Sequence, residues 1–107
     1  MKNQVLSLLG IARRAGRLSL GHDAVEEALK KREAKLIILA RDVSERTATH
    51  TQKAALQAEV PWIALADGME EIGIALGKKT GVIAVNDQGF AKRLTELAKE
   101  AADKREG

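Results

Sequence analysis

The chain has 107 residues, 45% of them hydrophobic, which predicts a single domain over residues 1–107 with a substantial core. It contains no cysteine, which excludes disulfides and thiolate metal sites and leaves the cytoplasm as the default location. No apolar run reaches the roughly 18 residues that a membrane span needs, so we expect no membrane association.

Hydrophobic periodicity, glycines and helix-capping patterns predict five helices that alternate with four strands. The run over 35–40 is almost entirely apolar, which is typical of a central strand covered on both faces. The predicted helices span residues 3–15, 22–32, 44–58, 67–76 and from 87 onward, and the predicted strands span 17–20, 35–40, 62–65 and 81–85. Strict alternation with short connections favours an α/β fold, a three-layer α/β/α sandwich with a small, mixed, four-stranded sheet.

Capping patterns mark where several of these helices begin. Asp23 with Glu26, and Asp67 with Glu70, have the spacing of a capping box, and Ser44 has the side chain of an N-cap. In this interpretation the carboxylate of Asp23 holds the first turn of the second helix. The same carboxylate is also a candidate for contact with a ligand, and the two roles compete only if the ligand takes the same oxygen.

Positive charge is concentrated in the first third of the chain. Residues 1–35 contain eight Lys or Arg against four acids, a net of +4, whereas residues 36–107 contain ten against eleven, a net of −1. This asymmetry favours a polyanionic partner on one face, although a lysine-rich solvated surface is the alternative interpretation. Trp62 and Phe90 are the only aromatic residues, too few for a base-stacking platform. A nucleic-acid partner would therefore be recognised through its shape, phosphates and base edges.

The junction between the first strand and the second helix is the best candidate for binding a phosphate. An apolar strand ends at Gly21, and a helix begins at once with His22 and Asp23. Unpaired N–H groups and partial positive charge at a helix start suit an anion.

Nothing in the sequence predicts catalysis. There is no nucleophile–base pair and no cofactor fingerprint, and the glycines at 73, 77 and 81 match neither a P-loop nor a dinucleotide motif. His22 and Glu26 stand one helical turn apart, but the sequence suggests no third ligand, so we predict no metal or cofactor. His22 is then either a solvated histidine or a contact to a phosphate or base.

A resemblance to a known family is found at Gly21 and in the segments 9–17, 34–42, 72–77 and 87–94, and it extends over nearly the whole chain. Together and in this order, they resemble the kink-turn-binding ribosomal protein superfamily of the archaeal large-subunit seven-Ae type. The first and last segments look like its bacterial, ribosome-associated branch. The resemblance implies the α/β/α fold and non-catalytic binding of structured RNA, either a kink-turn or ribosomal RNA, by a monomer that can associate with the ribosome.

In that family the RNA-binding helix begins Gly-x-Asn-Glu, with a lysine three residues after the Glu. Asn and Glu read guanine edges, and the lysine supports phosphate contacts. This chain keeps Gly21 but has Asp23, Ala24 and Glu27 at the other three positions. Asp23 can still accept hydrogen bonds from guanine, Ala24 cannot make a polar contact, and Glu27 repels phosphate. We expect RNA binding of the family's general kind, with Lys30 replacing the missing charge.

The resemblance implies two RNA-facing segments, the start of the second helix and the basic loop between Gly77 and Gly81. The predicted RNA-binding residues are Gly21, His22, Asp23, Lys30, Arg41, Lys78, Lys79 and Thr80, which would lie on one face. The alternative hypothesis is a ribosome-associated protein-interaction module that has lost kink-turn recognition, motivated by the acidic side chains of Asp23 and Glu27.

Overall fold

A computed structural model describes residues 3–106 of the protein. Five helices alternate with four strands, as the sequence predicts, and every boundary lies close to its predicted position. The elements are α1 (Gln4–Arg14), β1 (Leu18–Leu20), α2 (His22–Lys30), β2 (Leu36–Leu39), α3 (Glu45–Gln57), β3 (Trp62–Ala64), α4 (Met69–Leu76), β4 (Val82–Val85) and α5 (Gln88–Glu106).

The four strands form one mixed sheet in the order β1-β4-β2-β3. Strand β4 is antiparallel to both β1 and β2, whereas β2 and β3 are parallel. Strands β1, β2 and β3 therefore point the same way, and all three end where β4 begins. We call this side the carboxyl end of the sheet. The register places Leu20 opposite Ile83, and Leu39 opposite both Val82 and Ala64.

Two apolar clusters divide the core between the faces of the sheet. Ile38 and Ile83 contribute to one cluster, under α1, α4 and α5, and their strand neighbours Ile37 and Ala84 contribute to the other, under α2 and α3. Every residue of β2 and β4 is buried, as expected for central strands that are covered on both faces. The predicted three-layer α/β/α sandwich is confirmed.

The outer strands are less buried than the central ones. Strand β1 is half-buried, and β3 has an alternating pattern in which the side chain of Trp62 is 43% exposed. Within residues 3–106, no helix has the length and apolar character that a membrane crossing requires.

Candidate nucleic-acid interface

The carboxyl end of the sheet brings together segments that are far apart in sequence. The amide of Gly21 donates a hydrogen bond of 3.0 Å to the carbonyl of Val82, which joins the start of α2 to the start of β4. The amide of Ala40 donates to Gly81 at 2.9 Å, and the amide of Arg41 donates to Asp67 at 2.8 Å. Three segments therefore lie side by side along the carboxyl end of the sheet: Gly21, the end of the basic loop, and Arg41.

Gly21 has a backbone conformation that side chains rarely permit. Its φ of 94° and ψ of 164° lie in a region that is essentially restricted to glycine, while its carbonyl already accepts the first helical bond of α2, from Val25 at 3.0 Å. A Cβ built on Gly21 would meet no heavy atom within 4 Å. The half-buried Gly21 therefore faces open space where the chain turns into α2.

No side chain in the described part of the chain caps α2. Gly21 is the N-cap, so the predicted capping box of Asp23 and Glu26 is wrong: α2 begins at His22, and Asp23 lies in its first turn. The amides of His22, Asp23 and Ala24 have no acceptor within the helix. A helical amide donates to the carbonyl four residues earlier, and for these first residues that carbonyl lies outside the helix. These N–H groups are available to an anion.

The other four helices begin with side-chain hydrogen bonds. Asn3, Ser44 and Asp87 each accept a bond from the amide three residues later, at 3.0, 3.2 and 2.9 Å. Helix α4 also receives side-chain acceptors, and their identity corrects the predicted box of Asp67 and Glu70. Its N-cap is Gly68, which has no side chain to accept a bond. Its acceptors are Glu71, for the amide of Gly68, and Asp42, for the amide of Met69.

The basic loop between α4 and β4 contains two exposed lysines and one buried threonine. Lys78 and Lys79 are exposed, as a phosphate contact requires. Thr80 is only 5% exposed, and its hydroxyl donates to the carbonyl of Val82 at 2.9 Å, the oxygen that also binds the amide of Gly21. Thr80, which is predicted to contact RNA, thus has its hydroxyl buried against the same backbone oxygen that binds Gly21.

Arg41 is exposed and attached to the loop after β3. Its Nε donates to the carbonyl of Ala66 at 2.9 Å, and one of its terminal nitrogens lies 3.1 Å from the position of a Cβ built on Gly68. The guanidinium is thus held in place by the fold at the carboxyl end of the sheet.

The sequence matches the Ribosomal protein L7Ae/L30e/S12e/Gadd45 family over residues 3–95. The chain belongs to this family. The resemblance inferred from the sequence segments is therefore confirmed.

Proteins similar to this chain include bacterial and eukaryotic members. The "RNA-binding protein YlxQ" of Bacillus subtilis is 35% identical over 91 residues, which cover 84% of this chain and 90% of that protein. The protein of the same name from Enterococcus faecium is 32% identical over 96 residues, or 90% and 92% of the two chains. The "Large ribosomal subunit protein eL30" of Eremothecium gossypii is 30% identical over 101 residues, or 91% and 96%.

Solved structures agree with this assignment. A protein of unknown function from Bacillus halodurans superposes with a TM-score of 0.86 at 30% identity, covering 92% of this chain and 99% of that one. A 15.5 kD RNA-binding protein from Giardia lamblia superposes with a TM-score of 0.72 at 17% identity, covering 90% and 82%. The second likeness supports the fold alone.

Two acidic side chains lie near the proposed RNA-facing end of α2. Asp23 and Glu27 are both exposed on the helix surface. Glu27 lies 3.3 Å from the ammonium of Lys31, one turn further along, with both side chains about 60% exposed. The negative charge of Glu27 is therefore partly balanced by Lys31 within α2.

Lys30 does not lie at the carboxyl end of the sheet. It is the last residue of α2, about 12 Å along the helix axis from His22. There it lines an open groove between α2 and α3 together with Lys35 and Lys53. The structure thus separates Lys30 from the other predicted RNA-binding residues.

One nearby cation was not included in the predicted site. Arg13, in the last turn of α1, places a terminal nitrogen 3.6 Å from the position of a Cβ built on Gly77, where the basic loop begins. The proximity of Arg13 to the loop depends on the packing of α1 against α4, which no local pattern in the sequence indicates.

His50 was also missed as a partner of α2. Its Nε2 lies 3.1 Å from Oε1 of Glu26, and His22 lies on the other side of the same carboxylate, with Nε2 3.7 Å from Oε2. The hydrogen bond with His50 lowers the pKa of the Glu26 carboxyl below its ordinary value, and the positive charges of His22 and Lys30 act in the same direction. Glu26, predicted as half of a capping box, instead connects α2 to α3.

Proposed function

We propose that this protein binds structured RNA, without catalysis, at the carboxyl end of its sheet. The observation that supports this most strongly is the start of α2, an open glycine turn followed by amides that no side chain caps. Such a helix start binds phosphate through its N–H groups and its partial positive charge. The proposal places a phosphate of the RNA backbone at His22 and Asp23.

The cations around this helix start define the rest of the proposed interface. Lys78 and Lys79 extend from the loop that leads into β4, and Arg41 extends from the end of β2. They would neutralise phosphates on either side of the α2 contact. The names of the relatives support RNA as the polyanion, since two are called RNA-binding proteins and one is a large ribosomal subunit protein.

The more specific proposal is that the bound RNA contains a kink-turn. The resemblance implies that the first turn of α2 reads guanine edges, and only Gly21 of the family's four motif positions is retained here. Asp23 keeps acceptor oxygens for guanine N–H groups, whereas the methyl group of Ala24 offers no polar contact. We infer that a kinked RNA is bound through its shape and phosphates more than through its bases. We propose ribosomal RNA as the first partner to examine, and this partner would place the protein in the cytoplasm.

The direct test is an electrophoretic titration of the protein with a standard kink-turn and with a straight duplex of equal length. We expect the kink-turn to bind more tightly, and the logarithm of affinity to fall by about 0.7–0.9 per phosphate contact for each logarithmic unit of salt. Equal, weak binding to both would reject the kink-turn. Failure to bind either RNA, or ribosomal particles, would reject RNA binding and favour the protein-interaction module.

Paired charge removals identify which surface contacts the RNA. The double variant Lys78→Ala/Lys79→Ala should reduce the salt slope by about 2 and weaken binding to all RNAs similarly. The matched control is Lys35→Ala/Lys92→Ala, which removes the same charge at the opposite end of the sheet, where β2 begins and β4 has ended. If both doubles weaken binding equally, only the net charge of the protein matters and the proposed interface is wrong.

A further inference from the structure

Three ligating side chains from two helices meet on the outer surface of the α2–α3 layer. His22 and Glu26 lie one turn apart on α2, a spacing that places them side by side on one face. His50 reaches them from α3, with its ring centroid 5.1 Å from that of His22 and the two rings tilted by 41°. The fold thus supplies the third ligand that the sequence did not indicate.

The donor atoms of these side chains lie close to the separations of a metal site. One nitrogen or oxygen from each residue lies within 4.8 Å of those from the other two. The Nε2 atom of His50 lies 3.1 Å from Oε1 of Glu26, and the Nε2 atom of His22 lies 3.7 Å from the other carboxylate oxygen, Oε2. In a tetrahedral zinc site, bonds of about 2.0–2.2 Å place neighbouring ligand atoms roughly 3.3–3.5 Å apart. Small side-chain adjustments are therefore sufficient to place all three donors around one ion.

We propose that His22, Glu26 and His50 bind a divalent transition-metal ion of the zinc type, with water completing the coordination. Two imidazoles and one carboxylate form a ligand set that suits zinc and its neighbours, whereas magnesium and calcium prefer oxygen ligands alone. For both groups to bind the ion, Nε2 of His50 must be unprotonated, so the neutral ring would carry its proton on Nδ1 and the hydrogen bond to Glu26 would be replaced by two bonds to the metal. A glutamate carboxylate is ionised at neutral pH, which is the form that a metal requires.

The ion would join α2 to α3 across the surface of the layer. A ligand that binds only the folded protein raises its stability, and here the binding residues come from elements 24 positions apart in sequence. All three side chains are between about 39% and 56% exposed, so an ion can reach them from solvent without opening of the core.

The proposal is tested with tag-free wild-type protein, because an affinity tag of histidines would bind the same metals. Calorimetric titration with zinc should give one ion per chain, and cobalt should produce the visible absorption of a bound ion. Zinc should raise Tm by several degrees, whereas magnesium at the same concentration should leave Tm unchanged. In NMR spectra, zinc should shift the signals of both imidazoles, which are readily assigned because the chain contains two histidines.

Variants separate this site from chance binding elsewhere. His50→Ala, and His50→Gln as a second replacement, should each weaken zinc binding at least about tenfold, as should Glu26→Gln. Glu27→Gln is the matched control, since it removes an equal charge from the next position of α2 and leaves the three ligands intact. If zinc binds the His50 variants as tightly as the wild type, the ion is adventitious and the proposal is wrong. Unshifted imidazole signals in the wild type would also overturn it.

Discussion

The amino ends of α2 and α4 lie at the same end of the sheet, and both begin with a glycine, but for opposite reasons. At Gly68 the space is filled: a Cβ there would lie 2.9 Å from Glu71 Oε1 and 3.1–3.2 Å from atoms of Arg41 and Asp42. At Gly21 the surrounding space is empty, and glycine is required only by the positive φ. Gly68 lets side chains pack over the start of α4, whereas Gly21 leaves the start of α2 open.

The hydrogen bonds follow the same division. The first amides of α4 donate to Glu71 and Asp42 at 3.0 and 2.9 Å, whereas α2 has no capping side chain within the described residues. A glycine N-cap typically costs only about a few tenths of a kcal/mol relative to a capping side chain, and solvent or a ligand must then satisfy the amides. The comparison suggests that α4 is capped for stability, whereas α2 keeps its amides free for a partner.

The largest expected effect comes from Gly21→Ala, which forces a side chain into a conformation reserved for glycine. We expect a loss of about 1–3 kcal/mol in the free energy of unfolding, measured by urea denaturation, and weaker RNA binding at temperatures where the protein remains folded. Gly16→Ala is the matched control, because Gly16 also has a positive φ of 73° and no atom within 4 Å of its Cβ position. Gly16 follows α1 at the opposite end of the sheet, so its variant should lose stability and keep RNA affinity. Equal losses of RNA affinity in the two variants would contradict the proposed position of the interface.

Next in size is the loss of an acceptor at α4. Glu71→Ala should lower the free energy of unfolding by about 1 kcal/mol, because the amide of Gly68 loses its hydrogen bond. Glu70→Ala removes an equal charge from the same first turn but no capping bond, and it should have a smaller effect. Thermal unfolding of both proteins makes the comparison. A larger loss in the Glu70 variant would support the capping box predicted from sequence over the hydrogen bonds of Glu71 and Asp42 in the structure.

These caps also illustrate how far the sequence could predict the molecule. The order of elements followed from hydrophobic runs ended by glycine or by Pro61, and the central strand followed from the uninterrupted apolar run of β2. Caps depend on finer information. A capping box requires the first helical residue to be known without error, and the helix start after Gly21 made Asp23 part of the first turn.

The candidate site was predictable only where its residues are local in sequence. Gly21 was identified from its position between a strand and a helix. Thr80 was included because its loop resembles the family's second RNA-facing segment, although its hydroxyl is buried against the carbonyl of Val82. His50 lies 24 residues from Glu26, and no pattern within α3 indicates that the packing of the two helices brings them together.

A smaller effect is expected from reversing the charge of Glu27. Glu27→Lys exchanges a repulsion of phosphate for an attraction, and since the side chain is about 60% exposed we expect RNA affinity to rise only severalfold at low salt. Glu33→Lys makes the same charge change just beyond the far end of α2 and should have little effect. The two affinities are compared at several salt concentrations. If the Glu27 variant gains nothing over the Glu33 variant, α2 does not contact the RNA.

The smallest expected effect tests how the basic loop is supported beside α4. Alanine in place of glycine within a helix usually adds about 0.5–1 kcal/mol of stability. Gly10→Ala should do so because its Cβ would make only ordinary contacts, with Ala75 O at 3.6 Å and a terminal nitrogen of Arg14 at 4.0 Å. In Gly73→Ala the Cβ would lie 3.1 Å from the Cα of Lys79, so the backbone of the loop must move and the gain should vanish. Urea denaturation separates the two variants. Because Lys79 moves with its backbone, Gly73→Ala should also weaken RNA binding, whereas Gly10→Ala should not. Full stabilisation together with unchanged RNA affinity in the Gly73 variant would mean that the position of this loop has no part in binding.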